Sequence, residues 1–327
     1  SSFKLKNLKK SIIIFLVFLC CEKRKNTPYM AQSSGNINHV SVVMKDRDWV
    51  SKLGESTRNI IGDIYQGLPI DEPNFKFFHT APKQFTGFSK HSRNIVYFQK
   101  DTTNSFRIYK DLYSKPQLFF LIQGEDEDIL INYLNENKSL IINTIQEGER
   151  IEKIRRIKKS PSKSNILKEK MGLDLTYPSI YKKVKDTFNF VWLEKQILKG
   201  TLNIISYRLP ASSLSDSPKL NEVIRIRDSI GKLYIPGRLK GTYMATERDY
   251  KPYFYKLERG KKTIFQTKGI WEVKNDFMGG PFINCILKDK KSNEWIVVEG
   301  FAFAPSVSKR DFMFELNTIL STISINN

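Results

Sequence analysis

Arg58-Asn-Ile-Ile-Gly-Asp-Ile-Tyr65 and Arg227-Asp-Ser-Ile-Gly-Lys-Leu-Tyr234 carry Arg, Ile, Gly and Tyr at matching places. A match with the same order of elements around both copies marks an internal repeat. Ahead of the first copy, His39–Met44 has the composition of a strand. Helical periodicity then runs from Asp46 to Ile64, with Trp49, Leu53, Ile60, Ile61 and Ile64 on one face. Strand-like runs follow at Phe75–Phe78, Asn94–Gln99, Phe106–Leu112 and Leu118–Ile122. A helix opened by Glu125-Asp-Glu-Asp128 and carrying Leu130, Tyr133, Leu134 and Ile141 closes this half.

The second half repeats the order. Leu202–Arg208 is the strand, and a helix follows with Ser217 as N-cap, Pro218 at its first position and Leu220, Val223, Ile230 and Leu233 inward. Strands are expected at Thr242–Ala245, Lys268–Val273, Phe282–Leu287 and Glu294–Ala304. A last helix begins near Ser308, where Ser308 and Asp311 have capping-box spacing. Runs of strands bracketed by helices indicate an α+β fold of mostly antiparallel sheets with helices packed on one face, in two pseudo-repeated halves. A doubly wound parallel sheet needs a helix between most strands, and the sequence lacks them.

Hydrophobic residues make up 40% of the 327 residues and aromatics 12%, enough for a real core and against global disorder. The net charge of +20 suggests a nucleic acid or anionic-lipid partner until its distribution is inspected. Residues 1–25 hold seven basic residues against Glu22, and residues 150–170 hold nine against Glu152 and Glu169. The charge is local, and neither stretch interleaves the aromatics that stack on bases. No nucleic-acid partner is expected.

The first stretch is an address. Four lysines precede Ser11-Ile-Ile-Ile-Phe-Leu-Val-Phe-Leu19, followed by Cys20 and Cys21. A basic region, a short apolar region and a terminal cysteine form a secretory signal, too short for a span of ~20 apolar residues. Phe18-Leu19-Cys20-Cys21 resembles a bacterial lipobox, departing from it at Phe18. Cys21 is the expected lipid anchor, because acylation at Cys20 would put the large Leu19 at the cleavage site. The expected organisation is a signal at 1–21, a polar tether at 22–35, a first α+β unit at 36–150, a basic linker at 151–170 and a second α+β unit at 171–327. With Cys20 removed and Cys21 acylated, Cys285 has no partner in its own chain. It alternates with Ile283 and Leu287, the pattern of a buried strand position.

Motifs for chemistry are few. His39, His79 and His91 lack the spacing of a metal pair. There is no nucleophile elbow, phosphate-binding loop or dinucleotide fingerprint. Gly124-Glu-Asp-Glu-Asp128 lacks calcium-loop spacing and suits a helix N-terminus instead. Gly279-Gly280-Pro281 is expected to be a hairpin turn. Glu272 beside Trp271 is a candidate acid–base group, though strand neighbours face opposite sides. No catalytic residue, metal or cofactor is assigned.

Leu173–Pro178 and Phe188–Leu193, at the opening of the second half, resemble the start of PsbP/Mog1-type α+β domains. The chain as a whole resembles the domain of unknown function 4837 family, uncharacterised envelope lipoproteins. The resemblance rests on Ser33-Ser-Gly-Asn-Ile-Asn38, Phe85-Thr-Gly-Phe88 with Ser92-Arg-Asn94, Trp271-Glu-Val-Lys-Asn-Asp-Phe-Met-Gly-Gly-Pro-Phe282, and Val298-Glu-Gly-Phe-Ala-Phe-Ala-Pro305 with Lys309-Arg-Asp311. It implies export and an N-terminal lipid anchor, and it brings no catalytic residues. The expected function is a lipid-anchored, membrane-attached envelope protein facing the periplasm. It acts as a non-catalytic binding or structural module for a protein or envelope component. The alternative is an envelope hydrolase for glycan or lipid, with a site assembled from dispersed residues.

Overall fold

His39–Val43 forms β1, four of whose five side chains are buried. Val40 and Val42 enter one apolar cluster and Val43 another, so both faces of this strand are covered. Such strands occupy sheet interiors beside parallel neighbours. A computed structural model, which describes residues 29–325, places β1 between β2 (Lys76–Thr80) and β3 (Asn94–Lys100), parallel to both. With β4 (Ser105–Lys110) and β5 (Leu118–Gly124) the order is β2-β1-β3-β5-β4, and only β4 runs antiparallel to its neighbour. The parallel return from β1 to β2 needs a crossover. Helices α1 (Asp46–Trp49) and α2 (Lys52–Ile61) supply it. They share one face of the sheet with α3 (Glu127–Glu136) and α4 (Lys138–Ile157), over Val42, Val96, Phe98 and Phe120.

The second half opens with α5 (Ile166–Met171) and β6 (Leu173–Asp174), followed by β7 (Lys182–Thr187), β8 (Phe190–Ile197) and β9 (Gly200–Pro210). Then come α6 (Leu220–Tyr234), β10 (Met244–Thr246), β11 (Tyr253–Arg259), β12 (Lys262–Val273), β13 (Met278–Asp289) and β14 (Glu294–Phe303). Helix α7 (Arg310–Leu320) and β15 (Ser324–Ile325) finish the chain, β15 pairing with β6. The large sheet has the order β10-β12-β13-β14-β9-β8-β7, with β11 also on β12, and every pairing is antiparallel. Alternation sorts its side chains: Ile204, Ile283 and Val298 face α7, while Ile205, Phe282 and Val297 face α6. The class is α+β and the sheets are mostly antiparallel. Parallel pairing is confined to the first half. In the second half, α6 and α7 cover opposite faces.

Several local expectations are corrected. The helix expected from Asp46 to Ile64 breaks at Val50–Ser51, and Ile64 lies beyond it, exposed. Glu127 of α3 stabilises the restart: its carboxylate accepts from the Leu53 amide at 2.5 Å and the Ser51 hydroxyl at 3.2 Å. Helix α6 begins at Leu220 rather than at Pro218. Glu222 reaches back to the amides of Lys219 and Ser215, each at 2.8 Å, and so sets that start. The Ser308/Asp311 box does not cap α7. Glu72 from the first half does, accepting from the amides of Lys309 (2.7 Å) and Arg310 (3.0 Å). Gly279-Gly280-Pro281 is not a turn but lies inside β13, paired with Glu272, Trp271 and Ile270. A Cβ on Gly280 would stand 2.1 Å from the Ala302 carbonyl oxygen, so the close approach to β14 requires glycine there.

From Ala31 onward the chain is one compact unit. Polar contacts join its halves: Glu72 on α7, Arg310 to the Pro73 carbonyl (3.1 Å), Asn38 to Asp311 (3.2 Å) and Lys153 to Glu315 (2.8 Å). The segment after α4 is also fastened. Ser162 donates its amide to Tyr177 (2.8 Å), and Ser179 donates to Ser160 (3.0 Å).

Candidate functional site

The residues singled out in the sequence scatter through the fold. Cys21 lies outside the described residues. Cys285 is buried on the α7 face, and burial pushes its thiol up to about 11, so it is an unreactive core position. His39 sits on β1 against Phe78. His79 stacks on Trp49 and lies 2.9 Å from the Met44 carbonyl oxygen, and His91 meets Phe88 edge-on. Among the described residues, no three His, Cys, Asp or Glu side chains converge as metal ligands. In the acidic run, Asp126 caps α3 through the Ile129 amide (2.9 Å) while Glu127 caps α2. Burial raises the Glu272 carboxyl above its ordinary value, and the neighbouring Glu247 adds to the shift. The carboxylate pair stands on the opposite side of β12 from Trp271.

Two buried ion pairs anchor the halves. Glu149 receives Arg93 at 2.6 and 3.0 Å, the Asn94 amide group at 2.7 Å and the Asn38 backbone N–H at 2.7 Å. Arg227 donates to Glu299 at 2.8–3.0 Å and to Thr246 at 2.9 Å, and lies 3.7 Å from the Phe282 ring centroid. Asn284 adds a bond to Glu299 at 2.8 Å. Both carboxylates are saturated with donors, a structural arrangement that leaves little for a ligand.

The repeated octapeptide thus supports two different roles. Arg227 lies in this buried pair, while Arg58 lies over the Trp49 ring at the surface.

Where α6 runs out over the large sheet, the core opens into a cleft of about 260 Å³. Alternation along β14 puts Phe301 and Phe303 on its floor, and β12 adds Trp271 and Val273. Trp192 of β8 and Met278 of β13 form walls, and Ile235–Arg238 after α6 forms the lip. The Phe301 ring lies 6.1 Å from Trp192 and 5.9 Å from Trp271 between centroids. Both indole N–H groups are occupied, Trp192 with Asn203 at 2.9 Å and Trp271 with the Ala302 carbonyl at 3.1 Å. The cleft therefore offers aromatic faces and thioethers, with Glu194 and Arg238 at its polar margin. It suits an apolar or aromatic group. Gly200 lets the site close: at φ +117°, a Cβ would stand 1.8 Å from the Phe303 carbonyl oxygen.

Two larger hollows differ in character. One, about 540 Å³, lies between α4 and Lys110–Leu118, beside the Arg93–Glu149 pair. The other, about 660 Å³, gathers Lys159 and Lys163 of the linker with Lys182 and Lys183 at β7, among serine hydroxyls.

Sequence reasoning did not find the cleft, because its walls come from six strands. Its signal was present in the aromatic blocks Trp271–Phe282 and Val298–Pro305, which supply Trp271, Val273, Met278, Phe301 and Phe303.

No helix among the described residues is long and apolar enough to cross a membrane. No curated protein matches the chain. Among solved structures, the Ran-binding protein Mog1p of Saccharomyces cerevisiae is 8% identical, at a TM-score of 0.32, over 48% of this chain and 91% of that one. LpqN of Mycobacterium tuberculosis, described as involved in cell envelope biogenesis, is 14% identical over 47% of this chain and 83% of its own, at 0.29. A protein of Bacteroides thetaiotaomicron is 13% identical, over 48% of this chain and 46% of that one, at 0.21. None of these carries an activity to this chain. Residues 33–158 match a domain of unknown function (DUF8532) and residues 160–322 match the domain of unknown function DUF4837, so through its second half the chain belongs to the DUF4837 family.

Proposed function

We propose that this protein is an envelope lipoprotein held on a membrane by acylated Cys21, facing the periplasm. Its folded unit is a non-catalytic module that binds an apolar or aromatic group of an envelope component. The signal-like start of the chain supports the anchor. The cleft lined by Trp192, Trp271, Phe301 and Phe303 carries the binding reading, because its indole N–H groups are already bonded and Trp192 and Phe303 stay half-buried above the buried Trp271 and Phe301. A volume near 260 Å³ suits part of a ligand, such as one ring or a stretch of acyl chain, rather than a whole drug-sized molecule.

The test has two arms. Palmitate titrated into residues 31–327 is expected to change tryptophan emission saturably, and Met278→Trp, which fills the cleft, should abolish palmitate uptake measured by equilibrium dialysis. Uptake unchanged by Met278→Trp would refute the cleft. In cells, Cys21→Ala should abolish labelling by a palmitate analogue and release the protein from membranes. A variant that stays labelled and sedimenting would refute the anchor.

A further inference from the structure

The register of the large sheet brings three connections to one of its ends. These are Leu198-Lys199 between β8 and β9, Lys274–Phe277 between β12 and β13, and Gly237–Thr242 between α6 and β10. Each offers water both an apolar side chain and a cation. Leu198 and Phe277 are fully exposed, and Leu239 is 54% exposed. Lys199, Lys240 and Lys274 are exposed and form no ion pair among the described residues. The one carboxylate within these turns, Asp276, is neutralised by Arg238 at 3.1 Å, a contact that also ties two of the turns together. The opposite end of the sheet is different. Its turns read Gly260-Lys261 and Lys290-Lys-Ser-Asn293, with Phe188 as the apolar exception.

Apolar side chains held fully in water at fixed tips gain only by leaving it, and unpaired lysines beside them select an anionic partner. The tips of β8–β9 and β12–β13 are three strand steps apart, roughly 14 Å at the spacing of sheet neighbours. That separation suits a broad surface better than a narrow groove. We infer that this end of the sheet docks on an anionic phospholipid bilayer, inserting Leu198 and Phe277 below the headgroups while Lys199, Lys240 and Lys274 engage phosphate. The surface needs neither Cys21 nor an occupied cleft, so it stands apart from both arms of the proposal above.

Residues 31–327, which contain all the apolar clusters and lack the anchor, are sedimented with vesicles of phosphatidylglycerol and phosphatidylethanolamine, and with phosphatidylcholine vesicles. Binding is expected to the anionic vesicles only. Leu198→Ser/Phe277→Ser should weaken it at least tenfold, and Lys199→Glu/Lys274→Glu should abolish it. Phe277→Trp should bind with a blue-shifted emission quenched by brominated acyl chains. No binding by the unaltered protein overturns the inference. So does binding that survives the serine pair but is lost in Lys159→Glu/Lys163→Glu, which would move the contact to the linker groove. A serine pair that dissociates a dimer without changing vesicle binding overturns it as well, assigning the tips to a second copy.

Discussion

Glu299 is fully buried and holds Arg227, itself 3% exposed, with two further polar partners around them. The pair sits beneath α6 on the same face as the cleft, so it fixes the helix whose end forms the lip. Removing one member strands the other in the core, whereas replacing both by apolar residues of similar size does not. Glu299→Ala is therefore expected to destabilise the fold by about 3–5 kcal/mol in denaturant unfolding. Arg227→Met/Glu299→Leu should lose much less. Equal losses for the single and double changes would mean that the pair does not act as a unit. The pairing itself was not legible in the sequence. Arg227 and Glu299 are 72 positions apart, and Arg227 drew notice only through an octapeptide whose other arginine is at the surface.

At the scale of elements, helix ends in this protein are finished by distant carboxylates. Glu127 serves α2 and Glu72 serves α7, while among the described residues Asp126 and Glu222 act on their own helices. Glu72→Ala leaves the first amides of α7 without an acceptor and should lower stability by about 1 kcal/mol. Ser308→Ala, at the locally expected cap, should leave the unfolding midpoint unchanged. The reverse order of effects would restore the local capping box. Boundaries failed in the sequence reading where such tertiary caps replaced local ones. Interiors succeeded where alternation in β13 and β14 and helical spacing in α7 report burial directly, whereas on α6 Val223 and Ile230 are buried but Leu233, expected inward, is exposed where the helix runs out.

Across the whole molecule, α4 of the first half meets α7 of the second through Lys153 and Glu315. Glu315 also binds Lys195 at 2.8 Å and the Tyr181 hydroxyl at 3.0 Å. Burial would raise the Glu315 carboxyl, but the two lysines hold it below its usual 4.5. On α4 itself, burial works to raise Glu152, and Arg155 and Arg156 hold it at about 2. Both carboxyls ionise at lower pH folded than unfolded, so their contribution is complete above about pH 4.5 and is lost as pH falls toward 2. Thermal midpoints measured between pH 6 and 2.5 should fall in that window. Glu315→Gln should lower the midpoint at pH 6 and flatten the profile below 4.5, and an unchanged profile would remove Glu315 from the joint.

The sequence alone determined the α+β class, the two-part organisation, the inward faces of β13, β14 and α7, and the core position of Cys285. These follow from short-range periodicity, which each residue expresses through its immediate neighbours. It also carried the signal-like start and the family resemblance. Only the tertiary structure decided that the first sheet is largely parallel, that Gly279-Gly280-Pro281 runs inside a strand, and that α6 and α7 lie on opposite faces. It alone assembled the aromatic cleft and set Leu198, Leu239 and Phe277 at one end of a sheet. Strand order and register bring together residues far apart in sequence, and no local pattern encodes that pairing.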